Sequence, residues 1–422
     1  MSRKLDRWIY RIGINTYFGA IRIISPFHSK AKAMVEGRKA IFDTLKSKRK
    51  GDEEWVMIHT SSVGEFEQAR PIIEWIRKEH PELKICLTFF SPSGYKAFQS
   101  YSLADMVTYL PFDNSSTLQS FIEQLSPKFV LIIKYEFWLR TISLLHKNNI
   151  PIYLISSIFR EEQPFFKKRI GIIFREALSQ IKILFIQNKV SAELLEGIDV
   201  KNYIISGDTR MDRVAQIKEQ GHEIKEMGDL RDVALKEGKK ILVAGSTWEA
   251  DEKILLKYAG QKEILLILVP HEVDEGHIQQ IINRSPLPTT RITEWDKKSP
   301  EDVQLLIVDK IGLLSTLYRY ADIAYVGGGF GKGIHNTLEA AVYGIPILFG
   351  PKYHKFQEAK DLINVGAGFS IKSYKGFAEQ MDTLVSDPSL RKSSGQAAKN
   401  LVYNQLGATE IVTSTIEKDL FK

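Results

Sequence analysis

A carboxylate follows the first strongly apolar run of the chain. Residues 59–67 read HTSSVGEFE, directly after a predicted strand at Trp55–His59. Small residues turn the chain and a helix is expected to begin near Glu65, which places this carboxylate beside backbone N–H groups at the end of a sheet. Glu65 could remove a proton from an acceptor hydroxyl. It could also do no more than complement the helix dipole in its first turn.

A second carboxylate, Glu136, lies in the sequence KYEFW at residues 134–138, after a very apolar predicted strand at Phe129–Ile133. The carboxyl end of such a strand is where a residue of a ligand cleft is expected. Glu136 could orient an Arg or the hydroxyl groups of a substrate, or it could cap a helix with buried aromatic residues behind it. Arg210, in GDTR at 207–210, lies near a predicted domain junction and could carry positive charge into the cleft.

The most informative segment is glycine-rich, because residues 326–341 read VGGGFGKGIHNTLEAA. Glycines let a backbone approach a ligand closely, and the N-terminus of the helix that follows favours phosphate. We therefore predict a phosphate or nucleotide site that includes Gly328, Gly329 and His335, with Glu339 placed to accept hydrogen bonds from a ribose. The alternative is a tight turn needed only for packing. A Walker A loop is excluded, because Gly follows the lysine where Ser or Thr is required.

Two smaller segments end predicted strands of the same half. Ser246 and Thr247 follow Ile241–Gly245, and their hydroxyls could meet a phosphate or a sugar carboxylate. His271 follows Pro270 at the end of the next strand and could bond a base or a phosphate, although a lone histidine is as often structural. The sequence contains no HExxH, DxD-type pair or Cys/His cluster, so we predict neither a metal site nor a cofactor.

Short apolar, β-branched runs alternate with amphipathic stretches of helical length, a pattern typical of parallel sheets with helices on both faces. The predicted strands form two series: Trp55–His59, Ile85–Phe90, Phe129–Ile133, Ile152–Ser156 and Ile183–Gln187, then Ile241–Gly245, Ile264–Val269, Leu305–Val308, Ile323–Val326 and Ile345–Phe349. That is too many for one comfortable open sheet. We therefore predict an α/β protein of two Rossmann-like domains that face each other across a cleft. A single β/α barrel is the alternative.

A mainly polar stretch between Asp208 and Lys239 separates the two series. The predicted domains follow from it: a basic, membrane-associated helical segment at 1–50, one domain at 51–212, a second at 213–400, and a C-terminal helix at 401–422 that packs back on the first domain. Ligands of open α/β sheets bind at the carboxyl ends of the strands. The cleft between the two domains is therefore the expected site.

The basic charge of the chain is concentrated at its N-terminus. The net charge is +7, whereas residues 1–50 hold 13 Lys and Arg against three acids, so the remainder is slightly acidic. This distribution disfavours a nucleic-acid groove. Residues 8–26 are apolar and aromatic, but Arg11 and Arg22 interrupt them, which disfavours a membrane span or a cleaved signal peptide. We predict a helix that lies on an anionic membrane; a spanning helix and a helix packed on its own body are the alternatives.

Eight segments together resemble the Kdo (3-deoxy-D-manno-octulosonic acid) transferases, a family with the GT-B fold. They are SSVGE (61–65), SPSG (91–94), YLPFD (109–113), YEFW (135–138), GDTRMD (207–212), VGGGF (326–330), HNTLEAA (335–341) and GIPILFGP (344–351). Their order and spacing match from about Trp55 to Gly407. Each segment alone is a weak signal, whereas the combination is specific. The basic, apolar N-terminus is also similar to the membrane anchor of the family.

The resemblance implies an inverting transfer of Kdo from CMP-Kdo to the lipid A precursor lipid IVA, with the acceptor bound by the first domain and the nucleotide sugar by the second. It implies that Glu65 is the general base for a glucosamine hydroxyl and that Glu136 and Arg210 assist the transition state. Nucleotide-binding positions of the family match Pro270, His271, Ile311, Gly312, Leu313, Asn336, Thr337, Leu338 and Glu339. Many relatives have Arg in place of His271 and Lys in place of Arg210, two departures that can change donor affinity and local geometry.

The resemblance also implies a location on the cytoplasmic face of the inner membrane, in contact with CMP-Kdo, the lipid A precursor and the membrane surface but with no nucleic acid. The single cysteine, Cys86, fits a reducing compartment. Three rival interpretations remain. They are a GT-B enzyme that uses a UDP-sugar on another lipid-linked acceptor, a nucleotide-sugar epimerase of similar fold, and a non-enzymatic membrane-binding or nucleic-acid-binding module. The basic N-terminus weighs against the second, and the cleft carboxylates weigh against the third.

Overall fold

Two compact units make up the chain in a computed structural model, which describes residues 3–113, 116–134, 136–168, 171–297 and 299–421. The first unit comprises Met1–Arg213 with Leu406–Lys422, and the second comprises Val214–Gln405. Each unit contains one open sheet of seven strands, so the alternative of a single β/α barrel is wrong. Tyr135, of the segment YEFW, lies outside the described residues.

The sheet of the first unit is parallel throughout. Its strands are β1 (Trp55–Thr60), β2 (Lys84–Phe89), β3 (Met106–Tyr109), β4 (Phe129–Ile133), β5 (Ile152–Ser157), β6 (Ile183–Ile186) and β7 (Tyr203–Ile205), in the spatial order β3-β2-β1-β4-β5-β6-β7. The helices that precede or connect them are α1 (Arg3–Ile24), α2 (Ser29–Glu36), α3 (Ile41–Lys48), α4 (Val63–Glu79), α5 (Pro92–Phe98), α6 (Ser116–Leu125), α7 (Leu139–Lys147), α8 (Gly171–Ser179), α9 (Lys189–Glu196) and α10 (Thr209–Gln220).

The sheet of the second unit also has seven strands, again with every pair of neighbouring strands parallel, but its strand order differs. Its strands are β8 (Lys240–Thr247), β9 (Ile264–Pro270), β10 (Thr289–Arg291), β11 (Leu305–Ile307), β12 (Ile323–Val326), β13 (Ile347–Phe349) and β14 (Gly368–Ser370), in the order β10-β11-β9-β8-β12-β13-β14. The helices that follow α10 are α11 (Lys225–Lys236), α12 (Glu249–Ala259), α13 (Glu275–Arg284), α14 (Leu314–Leu317), α15 (Leu338–Ala341), α16 (Gln357–Asn364), α17 (Tyr374–Ser386), α18 (Pro388–Tyr403) and α19 (Ala408–Leu420).

The hydrophobic core lies on both faces of each sheet. All six residues of β1 are buried, and their side chains alternate between the two faces, as a strand requires. Trp55 and Met57 pack into one cluster of the first unit, whereas Val56 and Ile58 pack into the other. Continuous burial of this kind is expected of a parallel strand that is covered by helices on both sides.

The last helix of the chain, α19, belongs to the first unit. Its Val412 and Ile416 are fully buried in the same cluster as Val56 and Ile58. Asp212, in the first turns of α10, accepts hydrogen bonds from the backbone N–H of Gly407 at 2.7 Å and of Thr409 at 2.6 Å, and so fixes the start of this helix.

Candidate active site

The strand order of each sheet changes direction at one point. In the first unit the chain continues from β1 towards β2 on one side and later enters β4 on the other; β8 lies in the same way between β9 and β12. Loops that leave two such strands diverge, and the crevice between them is the usual ligand site of an open α/β sheet. Glu65 follows β1 and Glu136 follows β4, while Ser246 lies at the end of β8 and Gly327 directly follows β12. Both units therefore gather predicted residues at this point.

Glu65 is the third residue of α4, after the N-cap residue Ser62. Its carboxylate accepts a hydrogen bond from the backbone N–H of Ser61, as a carboxylate in a first helical turn is expected to do. Burial and the negative charge of Glu136 nevertheless raise the pKa of Glu65 to about 7, although the Ser61 hydrogen bond and the charge of Lys134 act in the opposite direction. A carboxyl group with a pKa near neutrality is suited to proton transfer.

Glu136 is kept ionised by its surroundings. Burial alone would raise its pKa, but the nearby His59 together with Ser61 and Trp138 lowers this pKa below the usual value for a glutamate. The Trp138 indole N–H donates to Glu136 Oε2 at 2.5 Å, and His59 Nε2 lies 3.6 Å from the same oxygen. Glu65 and Glu136 thus form a pair of neighbouring carboxyl groups whose pKa values are pushed apart, which is the arrangement that assigns an acid and a base in many enzymes.

His59 is a site residue that sequence reasoning did not assign, although it belongs to the first segment. It is 1% exposed near the end of β1. Its Nδ1 lies 2.9 Å from the Thr88 hydroxyl, which itself donates to the Ile58 carbonyl at 3.3 Å. In that arrangement Nδ1–H donates to Thr88, and Nε2 is directed at Glu136, with no hydrogen-bond partner closer to it in the described parts of the chain. Only folding brings these three residues together.

Arg210 is bound to Asp208 of its own segment. Its Nε and Nη2 both donate to Asp208 Oδ2, at 2.9 and 2.8 Å. Gln68 donates to the other carboxylate oxygen at 2.7 Å. Burial would raise the pKa of Asp208, but the charges of Arg210 and Lys134 lower it to about 2. The positive charge of Lys134 acts to lower the pKa of both Asp208 and Glu65. Lys134 therefore links Arg210, through Asp208, to the carboxylate pair in one electrostatic cluster.

Two residues at these strand ends have a left-handed backbone. Lys134, directly after β4, has φ of 58°, and Ser246, at the end of β8, has φ of 52°. Residues other than glycine, asparagine and aspartate rarely adopt this conformation. Strain of this kind is concentrated at functional sites. No sequence signal could have revealed it, because neither residue type favours a positive φ.

Three aromatic rings stack at the corresponding place in the second unit. His271 lies between Trp248 and His335, with ring centroids 4.7 and 4.4 Å away, and the Trp248 indole N–H donates to His335 Nε2 at 3.1 Å. Burial and the neighbouring His271 lower the pKa of His335 to about 4, and burial also lowers the pKa of His271. Both rings are therefore neutral at pH 7. Trp248 directly follows Thr247 but was not among the predicted site residues.

The glycine-rich loop after β12 needs its glycines for close approach of the backbone. A Cβ atom on Gly327 would lie 2.3 Å from the Ser246 carbonyl oxygen, and one on Gly329 would lie 2.6 Å from the backbone of Gly350. Gly328 has φ of 89°. The glycines are thus needed for packing, which was the alternative to ligand binding. This packing places the loop directly against the end of β8.

Asp251, in the first turn of α12, holds this loop in place. Its buried carboxylate accepts hydrogen bonds from the Tyr325 hydroxyl at 2.6 Å, the Gly328 N–H at 2.9 Å and the Trp248 N–H at 3.0 Å. A phosphate at this loop would therefore have to use N–H groups other than that of Gly328. The sequence did not indicate Asp251, which lies 77 positions before the glycine that it binds.

The residues after the loop lead into the four-residue helix α15. Asn336 Oδ1 accepts the Leu338 N–H at 3.1 Å, and Asn336 Nδ2 donates to Glu339 Oε1 at 3.0 Å. The Thr337 hydroxyl is buried and has no hydrogen-bond partner among the described residues. A buried hydroxyl without a partner is uncommon in proteins, so it is an available donor here. The ribose contact predicted for Glu339 would be shared with Asn336.

The remaining predicted positions surround the end of β8. The Thr247 hydroxyl is buried and donates to Glu252 at 3.3 Å, whereas the Thr247 carbonyl accepts the His271 N–H at 3.0 Å, directly after Pro270. Ile311 is 87% exposed, Gly312 has φ of 91°, and Leu313 precedes α14. Within the described ranges, no group of three His, Cys, Asp or Glu side chains is arranged to hold a metal ion.

The fold is of the GT-B-like type seen in several solved structures. The chain is similar to UDP-GlcNAc 2-epimerase from Neisseria meningitidis bound to UDP-GlcNAc, with a TM-score of 0.58, 15% identity and coverage of 86% of this chain and 100% of that one. It is similar also to MurG of Acinetobacter baumannii, with a TM-score of 0.54, 13% identity and coverage of 86% and 99%. At these identities the likeness establishes the fold and nothing of the activity.

Sequence comparisons reach further. A family model described as 3-deoxy-D-manno-octulosonic-acid transferase matches residues 36–213. The enzyme of that name from Aquifex aeolicus is 27% identical over 78% of this chain and 85% of its own length, and the one from Haemophilus influenzae is 25% identical over 84% of each. The one from Chlamydia muridarum is 26% identical over 90% of this chain and 88% of its own. Together these matches support the Kdo transferase family of glycosyltransferases as the family of this chain.

Proposed function

We propose that this protein transfers Kdo, with inversion, from CMP-Kdo to the lipid A precursor during synthesis of the lipopolysaccharide core. The observation that carries the proposal is the pair of carboxyl groups at the switch point of the first sheet. Glu65 has a pKa raised to about 7, and the neighbouring Glu136 has a lowered one. A base that accepts a proton near neutral pH is what attack by a sugar hydroxyl requires.

Proton and electrons are conserved in the proposed step. Glu65 takes the proton from a glucosamine hydroxyl, whose oxygen forms a bond to the anomeric carbon of Kdo. The bond from that carbon to the CMP phosphate oxygen breaks, and CMP leaves with the electron pair. Glu136 stays ionised, and its negative charge disfavours ionisation of Glu65. Glu65 is therefore only partly ionised near neutral pH, and its ionised form takes up a proton readily. The cations Arg210 and Lys134 limit the charge that accumulates beside the reacting sugar.

The donor is assigned to the second unit. Neutral rings of Trp248, His271 and His335 offer a stacking surface to a base or a sugar. Asn336 and Glu339 present polar atoms to a ribose, and the Thr337 hydroxyl has no hydrogen-bond partner among the residues that the structure describes. The glycine-rich loop permits close approach of a phosphate.

The reaction is tested by incubating the full-length protein with CMP-Kdo and tetra-acylated lipid A precursor and measuring the product by mass spectrometry. A mass gain of one or more Kdo units is expected, and the number of units gives the number of additions. A parallel reaction with UDP-sugars in place of CMP-Kdo serves as the control. Transfer from a UDP-sugar with none from CMP-Kdo would replace this proposal by the rival glycosyltransferase.

We also infer that α1 rests on the membrane surface at the cytoplasmic face of the inner membrane. One side of the helix is fastened to the first unit: Phe18 is fully buried and stacks on Phe112 at 4.3 Å, and the Tyr10 hydroxyl donates to Asp113 at 2.8 Å. Much of the remaining surface of the helix, together with the turn after it, exposes apolar side chains, which are called the apolar stripe here. The stripe consists of Trp8, Ile9, Ile12, Tyr17, Ile23, Ile24 and Phe27.

Seven exposed apolar side chains on one helix and the turn after it indicate contact with an apolar partner. The cations of the same segment, including Arg11 and Arg22, suit anionic headgroups. No helix in the described part of the chain is sufficiently long and apolar to span a bilayer. An interfacial helix satisfies all three observations, and it keeps the side that bears Phe18 against the protein.

Membrane contact is tested with the full-length protein by sedimentation with vesicles of phosphatidylglycerol and phosphatidylcholine. Phe27 is 90% exposed, so its replacement by Asp does not disturb the core. Phe27→Asp is expected to reduce vesicle binding by about tenfold, since burial of such a side chain contributes about 1.5–3 kcal/mol. The matched control is Leu235→Asp, which changes a 66% exposed residue of the second unit. Equal binding of both variants would contradict the assignment of α1 to the membrane.

A further inference from the structure

A cavity of about 330 Å³ lies under α1 in the first unit, enclosed by α1, α6, α7 and α8. Four cations line it, Arg7 and Arg11 from α1 and Arg140 and Lys147 from α7. Its volume is within the usual range for sites that bind small molecules or headgroups.

The acids of the cavity are already engaged. Glu176 forms an ion pair with Arg7. Asp113 accepts hydrogen bonds from the Tyr10 hydroxyl at 2.8 Å, the Arg140 backbone N–H at 3.1 Å and the Thr141 hydroxyl at 2.8 Å. Among the described residues, neither carboxylate forms an ion pair with Arg11, Arg140 or Lys147.

Three cations consequently face the cavity with no acidic partner in the ranges that the structure describes, namely Arg11, Arg140 and Lys147. Arg140 Nε is buried and, within those ranges, makes no hydrogen bond. A buried N–H donor that lacks a partner is unfavourable, and an anion bound in the cavity would supply that partner. Arginine forks match the oxygen geometry of phosphate, and lysine adds a point charge.

The same helix separates two chemical surfaces. Arg7 and Arg11 point into the cavity, whereas Trp8 and Ile12 of the same turns belong to the exposed apolar stripe. A molecule with a phosphate in the cavity could lay acyl chains along that stripe. The cavity also adjoins the candidate active site in sequence, because Arg140 lies four positions after Glu136.

We propose that this cavity binds the phosphate group of a phosphorylated amphiphile and thereby holds it beside the carboxylate pair. The phosphate could be that of the sugar acceptor or that of an anionic membrane phospholipid. Only the first of these two sources rests on the proposed function, since the cavity and its cations are independent of the reaction.

Binding is tested on the full-length protein by calorimetric titration with dihexanoyl phosphatidic acid below its micellar concentration. Dihexanoyl phosphatidylcholine, in which a choline covers the phosphate, is the control ligand. Arg140→Gln with Lys147→Gln is expected to weaken binding of phosphatidic acid at least about tenfold, because two charge-assisted contacts are lost. The matched control, Lys189→Gln with Lys201→Gln, removes the same charge from exposed sites of the first unit and is expected to bind as the unmodified protein does.

Equal affinity in both double variants, or equal binding of the two lipids, would overturn the proposal. If the first double variant fails to fold, as judged by circular dichroism, Arg11→Gln with Lys147→Gln takes its place, because both side chains are exposed. That variant is expected to show the same direction of change.

The source of the phosphate is distinguished in the transfer assay, with the lipid A precursor and its enzymatically dephosphorylated form as acceptors. A rise in KM for the phosphorylated acceptor alone, at unchanged kcat, would identify the phosphate of the acceptor. Unchanged KM in a variant that has lost phosphatidic acid binding would identify a membrane phospholipid. Absence of transfer by the unmodified protein would count against the proposed reaction and would leave the calorimetric result standing.

Discussion

At the scale of single residues, the environment of Glu65 differs from that of the other carboxylate in the same helical turn. Glu67 forms ion pairs with Arg70 at 2.7 Å and with Arg213 at 3.3 Å. Within the part of the chain that the structure describes, Glu65 forms no ion pair, and its partial burial together with the charge of Glu136 raises its pKa to about 7. The two residues offer a matched test of position, since they have the same chemistry and lie two positions apart.

Glu65→Gln is expected to lower kcat by about 100- to 10,000-fold, the usual contribution of a general base. Binding of CMP should be kept, because the base acts on the acceptor hydroxyl. Glu67→Gln is expected to keep turnover close to that of the unmodified protein. Steady-state kinetics and calorimetric titration with CMP measure the two effects. Near-normal turnover in Glu65→Gln would remove this residue from the mechanism.

The pH dependence of the reaction follows from the same pair. Glu65 must be ionised to act as a base, so kcat/KM is expected to fall about tenfold for each pH unit below about 7. Glu136→Gln removes a negative charge that raises the pKa of Glu65. The acid limb of the remaining activity should therefore move to lower pH, which a pH–rate profile measures. A limb that stays in place would mean that another group titrates.

The sequence indicated Glu65 and Glu136 because each follows an apolar strand, and position after a strand can be read locally. The sequence could not indicate how the pKa values of these two residues are shifted. Three residues act through contacts with residues far away in the chain, namely His59, Lys134 and Asp251. The left-handed backbone of Lys134 and the burial of His59 cannot be read from the composition of the sequence. The resemblance to a family transferred roles to individual positions, whereas the pKa values and hydrogen-bond partners come only from the fold.

At the scale of elements, the central strands could be predicted and the edges could not. The strands that the apolar pattern missed are β3, β7, β10 and β14, and all four are edges of their sheets. Three of them are only three residues long and are partly exposed. A central parallel strand is buried on both faces and needs a continuous apolar run, whereas an edge strand does not. The apolar pattern is thus absent from the edge strands because they are less buried than the central strands.

The loop after β12 gives a prediction at this scale. Gly327→Ala would bring a Cβ atom within 2.3 Å of the Ser246 carbonyl oxygen, a contact between two backbones that cannot be relieved by a side-chain rotation. The loop should therefore shift, and CMP affinity is expected to fall at least about tenfold, with a loss of stability of about 1–3 kcal/mol.

Gly331→Ala is the control in the same loop, because its Cβ atom would meet its nearest neighbour, the Gly328 carbonyl, at an ordinary 3.5 Å. Affinity is measured by titration with CMP and stability by urea unfolding. Similar affinities for the two variants would show that the close packing of the loop on β8 does not govern nucleotide binding.

At the scale of the whole molecule, each unit has a parallel seven-stranded sheet whose strand order reverses beside the first strand of the unit, and each gathers predicted site residues at that point. In the first unit, carboxylates and cations lie where the strand order reverses. In the second unit, neutral rings and glycines lie at the corresponding place. This difference lies in the loops, because both sheets reverse their strand order beside the first strand of the unit. The predicted cleft between the two domains stays a prediction.

The path of the chain makes the stability of the first unit depend on its last residues. Ile416 of α19 is fully buried against the first sheet, although it is separated in sequence from β1 by the entire second unit. Ile416→Ala is expected to destabilise the first unit by about 2–5 kcal/mol. Hydrogen exchange measured by mass spectrometry should become faster in β1 and β4 and stay unchanged in β8 and β12. Ile411→Ala, which truncates a 37% exposed side chain of the same helix, is expected to change neither set of strands. Faster exchange in both units of the Ile416 variant would mean that the two sheets unfold as one cooperative body, and the stability of the donor site would then depend on α19 as well.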